Sequence, residues 1–294
     1  MRRLIVNGDD FGYTPGVNAG IVRAYRDGIL TSTTLMAGGD AFDDAVRMAS
    51  ENPGLGIGCH LVLVGERAVA PAAEIPTLAD REGRLPASIG KLFLRLARGG
   101  VRQEDMETEL RAQVRRICDA GIRPTHVDTH KHTHLSPRVM RAVARVASEF
   151  GIGAVRKPYE NLRTLLGRGP RHGRKPAQLG RSVAAAAARA GRARFESLAQ
   201  AGHLRSPDHF CGIRWTGALG SAEVLNLIDR LEEGTTELMC HPGLHDEILD
   251  RMPTRLKGER QAELEAITAP EVVRAVQNRD VRLISFRELG ESDA

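Results

Sequence analysis

Short apolar, β-branched runs alternate with stretches of helical periodicity along the whole 294-residue chain. Runs at 3–7, 31–37, 56–63, 125–129, 154–157, 237–240 and 282–285 predict strands. The segments 15–27, 41–51, 103–120, 137–150, 221–233 and 270–278 between them predict helices. About seven βα units with no internal repeat predict an α/β fold with a parallel sheet, either closed as a barrel or doubly wound.

Residues able to do chemistry stand where these strands end. Leu4-Ile5-Val6 leads into Asn7-Gly8-Asp9-Asp10-Phe11-Gly12. Adjacent side chains on an extended backbone point to opposite sides, so two carboxylates share a site only if the chain turns, and Gly8 and Gly12 allow a turn. An acidic turn in which one Asp caps the next helix would read the same way. Gly58-Cys59-His60 closes a second run, and Thr125-His126-Val127-Asp128-Thr129-His130-Lys131-His132-Thr133-His134 closes a third. Extended backbone would put His126, Asp128, His130, His132 and His134 on one face. Pro124 before the tract and Ser136-Pro137 after it mark a strand followed by a helix start, which a solvated His-rich segment would not need. Met239-Cys240-His241-Pro242-Gly243 ends a late strand in the same manner. In a parallel barrel all such ends converge on one face, whereas a doubly wound sheet gathers only those near its switch point. The spread of the four segments therefore favours a barrel.

Composition narrows the class. With 41% apolar and 27% charged residues the chain is globular rather than disordered, and a single domain over 1–294 is expected. No apolar run approaches the ~18 residues of a membrane span, and the first strand begins too early for a secretory segment, so a cytoplasmic protein is expected. Cys59, Cys118, Cys211 and Cys240 are widely spaced and form no Cys-x-x-Cys pair, which predicts reduced thiols and no thiolate zinc site. The net charge of +5 is compatible with nucleic acid, anionic lipid or an anionic substrate. Much of the Arg excess lies between Arg156 and Arg205, and only 4% of residues are aromatic, which argues against base-stacking platforms.

Two segments interrupt the βα rhythm. Residues 65–85 carry several Pro and Gly and predict a long loop over the site face, a candidate substrate lid. Residues 161–206 predict a basic helical insertion: 168–176 is too rich in Gly and Pro for a helix, whereas 179–201 is Ala-rich and helix-forming. In that helix Arg181, Arg189 and Arg192 lie on one side, with Leu179, Val183 and Leu198 broadly opposite. Such a helix either packs by its apolar side on the surface or caps the site against a membrane or amphiphile, to which Arg163, Leu165 and Leu166 would contribute.

Two imidazoles and a carboxylate form a nitrogen and oxygen donor set suited to Zn²⁺, with Mg²⁺, Fe²⁺, Co²⁺, Ni²⁺ and Mn²⁺ as alternatives. A bound ion lowers the pKa of its water and polarises a carbonyl, a second carboxylate can take the proton, and a histidine opposite can protonate a leaving group. Asp9, Asp10, His60, His130 and His241 supply each of these parts.

The segments 7–12, Thr31-Ser32-Thr33-Thr34, Gly58-Cys59-His60-Leu61, 124–130 and Met239-Cys240-His241-Pro242, taken in order, resemble the YdjC-like carbohydrate deacetylases. The resemblance implies a distorted (β/α) barrel related to polysaccharide deacetylases and metal-dependent removal of an N-acetyl group from an amino sugar. By motif, Asp10, His60 and His130 become metal ligands, Asp9 the general base and His241 the general acid. Asp128 would orient a ligand imidazole, and His132 and His134 would shape the pocket or its surroundings. Gly8 stands where family members often have Ala, and Lys131 where a second His can follow the ligand. The basic segment, with Arg260-Gln261-Ala262-Glu263-Leu264 and Thr268-Ala269-Pro270-Glu271-Val272, is similar to the hopanoid-associated HpnK branch. That branch implies a hopanoid-linked N-acetylglucosaminyl substrate and peripheral contact with the inner membrane through 161–206. A homodimer is expected from the family, and a soluble chitooligosaccharide is the alternative substrate.

Two other classes compete. Two His and one carboxylate also describe non-haem iron oxygenases, whose usual β-helix fold disagrees with the βα pattern. A basic nucleic-acid-binding module would leave the acidic pair and the His tract unexplained, and no zinc-finger, helix-turn-helix or RNP pattern is present.

Overall fold

Seven parallel strands form the sheet of the computed structural model, which describes residues 1–160 and 191–291. They are β1 (Arg2–Phe11), β2 (Ser32–Leu35), β3 (Gly56–Leu61), β4 (Val127–Thr129), β5 (His209–Cys211), β6 (Gly234–Cys240) and β7 (Val281–Leu283). Their order is β4-β3-β2-β1-β6-β5, curled into a half-barrel. β7 pairs with the first residues of β1 (Arg2 to Leu4) and β2 with the later ones (Asn7 to Phe11), so the two follow one another along one edge of the central strand. The expected parallel (β/α) barrel architecture is thus present.

One expected strand is exchanged for another. At 154–157 only Ala154 and Val155 make isolated parallel bridges, to Arg205 and Val127, extending the curl past β4. The seventh strand is instead His209–Cys211, which at three residues is too short to display a period-two pattern.

Residues Leu4 to Phe11 are all buried, as expected of a parallel strand covered on both faces. Period two puts Ile5, Asn7 and Asp9 on its concave side. There Ile5 packs with Ala154, Ile284, Phe286 and Leu289 in a small apolar plug, while Leu4 and Val6 join the main core under the helices. The barrel interior therefore changes from apolar at its base to charged at its mouth.

The helices among the described residues are α1 (Pro15–Asp27), α2 (Phe42–Ser50), α3 (Ile89–Ala97), α4 (Gln103–Asp119), α5 (Pro137–Glu149), α6 (Arg192–Ala201), α7 (Ser221–Asp229), α8 (Glu247–Arg251), α9 (Gly258–Thr268), α10 (Pro270–Asn278) and α11 (Phe286–Glu291). Thr14 caps α1 by accepting from the Val17 amide, with Pro15 at the first turn. Gly20 lets α1 press on the chain after β6: a Cβ there would lie 2.4 Å from the Gly243 Cα.

Residues 161–190 of the expected insertion lie outside the described residues, Arg181 and Arg189 among them. The remainder forms α6, which buries Phe195 and Ala199 and pairs Arg192 with Glu196. The 65–85 loop is anchored on α4, and Gly65 and Glu66 at its start line the cavity described below. Val69 and Ala70 donate their amides to Glu109 at 2.9 Å each, Thr77 donates to Asp105 at 2.7 Å, and Ile75, Leu78 and Leu85 are buried. All four cysteines are free thiols, and no described helix is long and apolar enough to cross a membrane.

Candidate metal centre

β1 does not end at Asn7 as expected. It continues to Phe11 through an irregularity between Gly8 and Phe11, and Asp10 itself adopts a left-handed φ of 72°. That conformation is uncommon for a residue with a Cβ, although Asp tolerates it better than most. It brings Asp9 and Asp10 to the same mouth of the barrel.

Three donor atoms meet there in a nearly equilateral triangle. His60 Nε2 and His130 Nδ1 each lie 3.3 Å from Asp10 Oδ1 and 3.3 Å from one another. Ligand bonds of ~2.0–2.2 Å at tetrahedral angles separate donors by roughly 3.3–3.6 Å, so the triangle fits a small divalent ion. Asp10 Oδ1 is buried and makes no hydrogen bond, leaving a lone pair directed at that position. Zn²⁺ suits this donor set.

Strand register supplies the support. His60 on β3 is level with Asp128 on β4, and its Nδ1 donates to Asp128 Oδ1 at 2.7 Å, turning Nε2 toward the triangle. Thr34 donates to the other Asp128 oxygen. Burial alone would strip His60 of charge, but Asp128, Asp10 and Asp9 outweigh it and push the imidazole up to about 10. Burial likewise opposes a charged Asp10, and Arg260, His130 and His60 hold its carboxyl well below the ordinary range.

Arg156, fully buried, is the hub of the charged interior. It donates to both oxygens of Asp9 at 2.6 and 2.7 Å, to Asp128 at 2.5 Å and through Nε to Glu237 at 2.7 Å. Burial would raise the Asp9 carboxyl, yet the guanidinium holds it well below its usual value. Glu237, for which burial prevails, is pushed up to about 7. Asn7 also donates to Asp9 at 3.0 Å, and Asn7 in turn accepts from His126, whose ring stacks on Phe286 at 3.7 Å. Gly58 makes room for that ring, since a Cβ there would meet it at 2.5 Å.

α9 supports the opposite wall. Arg260 Nη2 donates to Asp10 Oδ2 at 2.6 Å, and one turn later Glu263 accepts from the His241 and Gly217 amides, each at 2.6 Å. His241 Nδ1 is buried without a hydrogen-bond partner, 3.8 Å from Glu263. Asp9, Asp10, His60, His130 and His241 together floor a cavity of about 710 Å³. Ile89, Phe93 and Leu135 give it one apolar wall, and Glu66, Lys131 and Arg255 a polar rim. A more open cavity of about 470 Å³, beside Glu196 and His203, contains none of these donors.

The His tract does not share one face. β4 stops at Thr129, and His130–Leu135 turns as a 3₁₀ segment in which Lys131 and His132 have φ of 55° and 54°. His126 and Asp128 point into the barrel, His130 reaches the triangle, and His132 lines the cavity edge-on to Phe210. His134 lies behind the site and lines no part of the cavity: it bonds Thr129 and donates from Nε2 to the Arg156 carbonyl, and burial with Arg156 nearby lowers it to about 3.

Sequence reasoning missed Arg156, Arg260, Glu237 and Glu263. The first follows Ala154-Val155 as the other site residues follow their strands, so the same positional rule flags it. The pair on α9 carries no such signal.

The chain matches the family described as YdjC-like protein over residues 3–278. It is 33% identical over 288 residues to a carbohydrate deacetylase of Geobacillus stearothermophilus, covering 98% of each chain. It is 31% identical over 293 residues to a chitooligosaccharide deacetylase of Escherichia fergusonii, covering 98% of this chain and 99% of that one. A solved structure from Enterococcus faecalis V583, of a candidate cellobiose-phosphate cleavage protein, is similar over 98% of this chain and 99% of that one, with a TM-score of 0.77 and 26% identity.

Proposed function

Because the chain belongs to the YdjC-like carbohydrate deacetylase family, we propose that it is a metal-dependent hydrolase that removes the acetyl group from an N-acetylated amino sugar, with Asp10, His60 and His130 holding the ion. The observation that carries this reading is the 3.3 Å donor triangle around the unpartnered Asp10 Oδ1 on the cavity floor. A Zn²⁺, or a Mg²⁺, Co²⁺, Ni²⁺ or Mn²⁺, bound there would polarise the acetyl carbonyl and acidify a water molecule.

Asp9 accepts the proton of the attacking water. Arg156 and Asn7 fix the orientation of its carboxylate and keep it ionised. The water oxygen adds to the acetyl carbon; as the carbonyl then re-forms, the C–N bond breaks and His241 delivers a proton to the departing amine, after which the proton taken by Asp9 leaves to solvent and His241 regains one. The Glu263 bond to its amide sets the position of that loop. The products are acetate and a free amino sugar. Asp128 fixes the His60 ring, His132 shapes the mouth, and His134 supports the Arg156 backbone.

The substrate we favour carries an N-acetylglucosaminyl group. Similarity to a chitooligosaccharide deacetylase and the polar rim support a soluble oligosaccharide. The apolar wall of Ile89, Phe93 and Leu135 supports the HpnK reading, in which the sugar is linked to a hopanoid and 161–206 meets the inner membrane. Acetate release from soluble chitooligosaccharides and from a lipid-linked N-acetylglucosaminide, with protein stripped by chelator and then reloaded, tests both. Release that returns with the ion supports the deacetylase, and the compound deacetylated faster decides between the substrates. No release from either by protein that holds its ion would overturn the reaction assigned.

Ion uptake should also expel a proton. With His60 pushed up to about 10, the ion-free protein carries a protonated imidazole at neutral pH, which must deprotonate to become a ligand. Below that pKa, each unit of rising pH strengthens binding roughly tenfold. Calorimetry in buffers of different ionisation enthalpy would show release of about one proton per ion near pH 7; no release would refute the assignment of His60.

A further inference from the structure

We infer that Arg260 is a positioning residue that restricts Asp10 to ligation through a single oxygen, an inference that rests on the metal-centre reading above. The two oxygens of Asp10 have sharply different surroundings. Oδ2 accepts from Arg260 Nη2 at 2.6 Å, whereas Oδ1 has no hydrogen bond and faces both imidazoles at 3.3 Å. The left-handed backbone of Asp10 aims the carboxylate at the triangle but leaves it free to present one oxygen or both. A planar guanidinium bound to the outer oxygen removes that choice.

Packing fixes Arg260 independently of the ion pair. The side chain is 1% exposed, and its Nε donates to the Leu256 carbonyl at 3.3 Å. Its stem lies against the backbone at Gly243, where a Cβ would meet the Arg260 Cδ at 3.2 Å, and its guanidinium stands 5.8 Å from the Tyr13 ring centre. Nη1 has no acceptor among the described residues. A buried arginine serving packing alone would be expected to satisfy its donors or be replaced by an apolar side chain. What Arg260 gains for its burial is Asp10.

The consequence is chemical. A carboxylate that closed on the ion with both oxygens would occupy a position that water and the acetyl oxygen need. By holding Oδ2 away, Arg260 keeps that position open and shares the carboxylate's charge.

X-ray absorption of the Co²⁺-loaded protein and of Arg260→Met, with thermal unfolding as the fold control, tests this. The wild type is expected to show two nitrogen donors and one carboxylate oxygen. The variant is expected to retain its ion, to show the carboxylate carbon drawn in behind two coordinating oxygens, and to lose about 10–100-fold in kcat. Should the Met variant not fold, Arg260→Lys keeps the stem and the cation but not the planar fork, and the same closure is expected with a smaller loss. Two-oxygen ligation in the wild type, or unchanged ligation in the folded variant, overturns the inference. Failure of the wild type to take up any ion would instead overturn the metal-centre reading itself.

Discussion

Asp9→Asn retains its ion and loses about two to four powers of ten in acetate release, the range expected when a general base is removed. The substitution is nearly isosteric. An amide can still accept from one Arg156 nitrogen through its oxygen, but it cannot take a proton from water, and its NH₂ faces a donor that formerly met a carboxylate. None of the three triangle donors belongs to Asp9, so metal content should remain at the wild-type level. Metal analysis beside a rate measurement separates the two effects. Loss of the ion together with the activity would assign Asp9 to the ligand set, and a near-normal rate would remove it from the mechanism.

The largest effect on stability is expected at Arg156. Arg156→Met leaves Asp9, Asp128 and Glu237 buried without their shared cation, and breaking a buried ion pair from one side costs about 3–5 kcal/mol. Glu237 is the member most easily relieved, because its carboxyl already titrates at about 7. The double variant Arg156→Met/Glu237→Gln should therefore recover part of the loss, whereas adding Asp128→Asn would exchange the charged acceptor of His60 for a neutral amide oxygen. Denaturant midpoints for the single and double variants measure this. A fully additive result would mean that Glu237 is not coupled to the hub.

Much of this site was legible because its residues follow strands. Asp9, Asp10, His60 and His241 each come after an apolar run, and in a parallel barrel such positions must converge. The six helices expected from periodicity are present, two with unchanged bounds (Pro15–Asp27 and Pro270–Asn278). Legibility ended where the backbone departs from regular geometry. Period two carries His126 and Asp128 correctly into the barrel, but beyond Thr129 the left-handed Lys131 and His132 break it, and no alternation reveals where His134 points.

α9 was hidden for a different reason. Its buried face consists of Arg260, Glu263, Leu264, Ala266 and Ile267, and the two charges make an inward stripe look like a solvated one. Their burial makes sense only once their partners, Asp10 and the His241 amide, are known. Periodicity detects faces that bury apolar surface and is blind to a face that buries ion pairs.

The graded barrel interior has a kinetic consequence. Asp9 meets Arg156 across 147 residues and Asp10 meets Arg260 across 250, while the Phe286 that closes the base reaches back 254 residues to Ser32. Contacts of such separation require the largest loops to close before they contribute, so topology makes them slow to form. An N-terminal fragment during synthesis holds the Asp-Asp pair and all three triangle donors, yet lacks the cations that orient two of its carboxylates. Competence to hold the ion in its final geometry thus becomes a late event of folding, and uptake of a coloured ion such as Co²⁺ would time the closing of the barrel rather than the formation of its first strands.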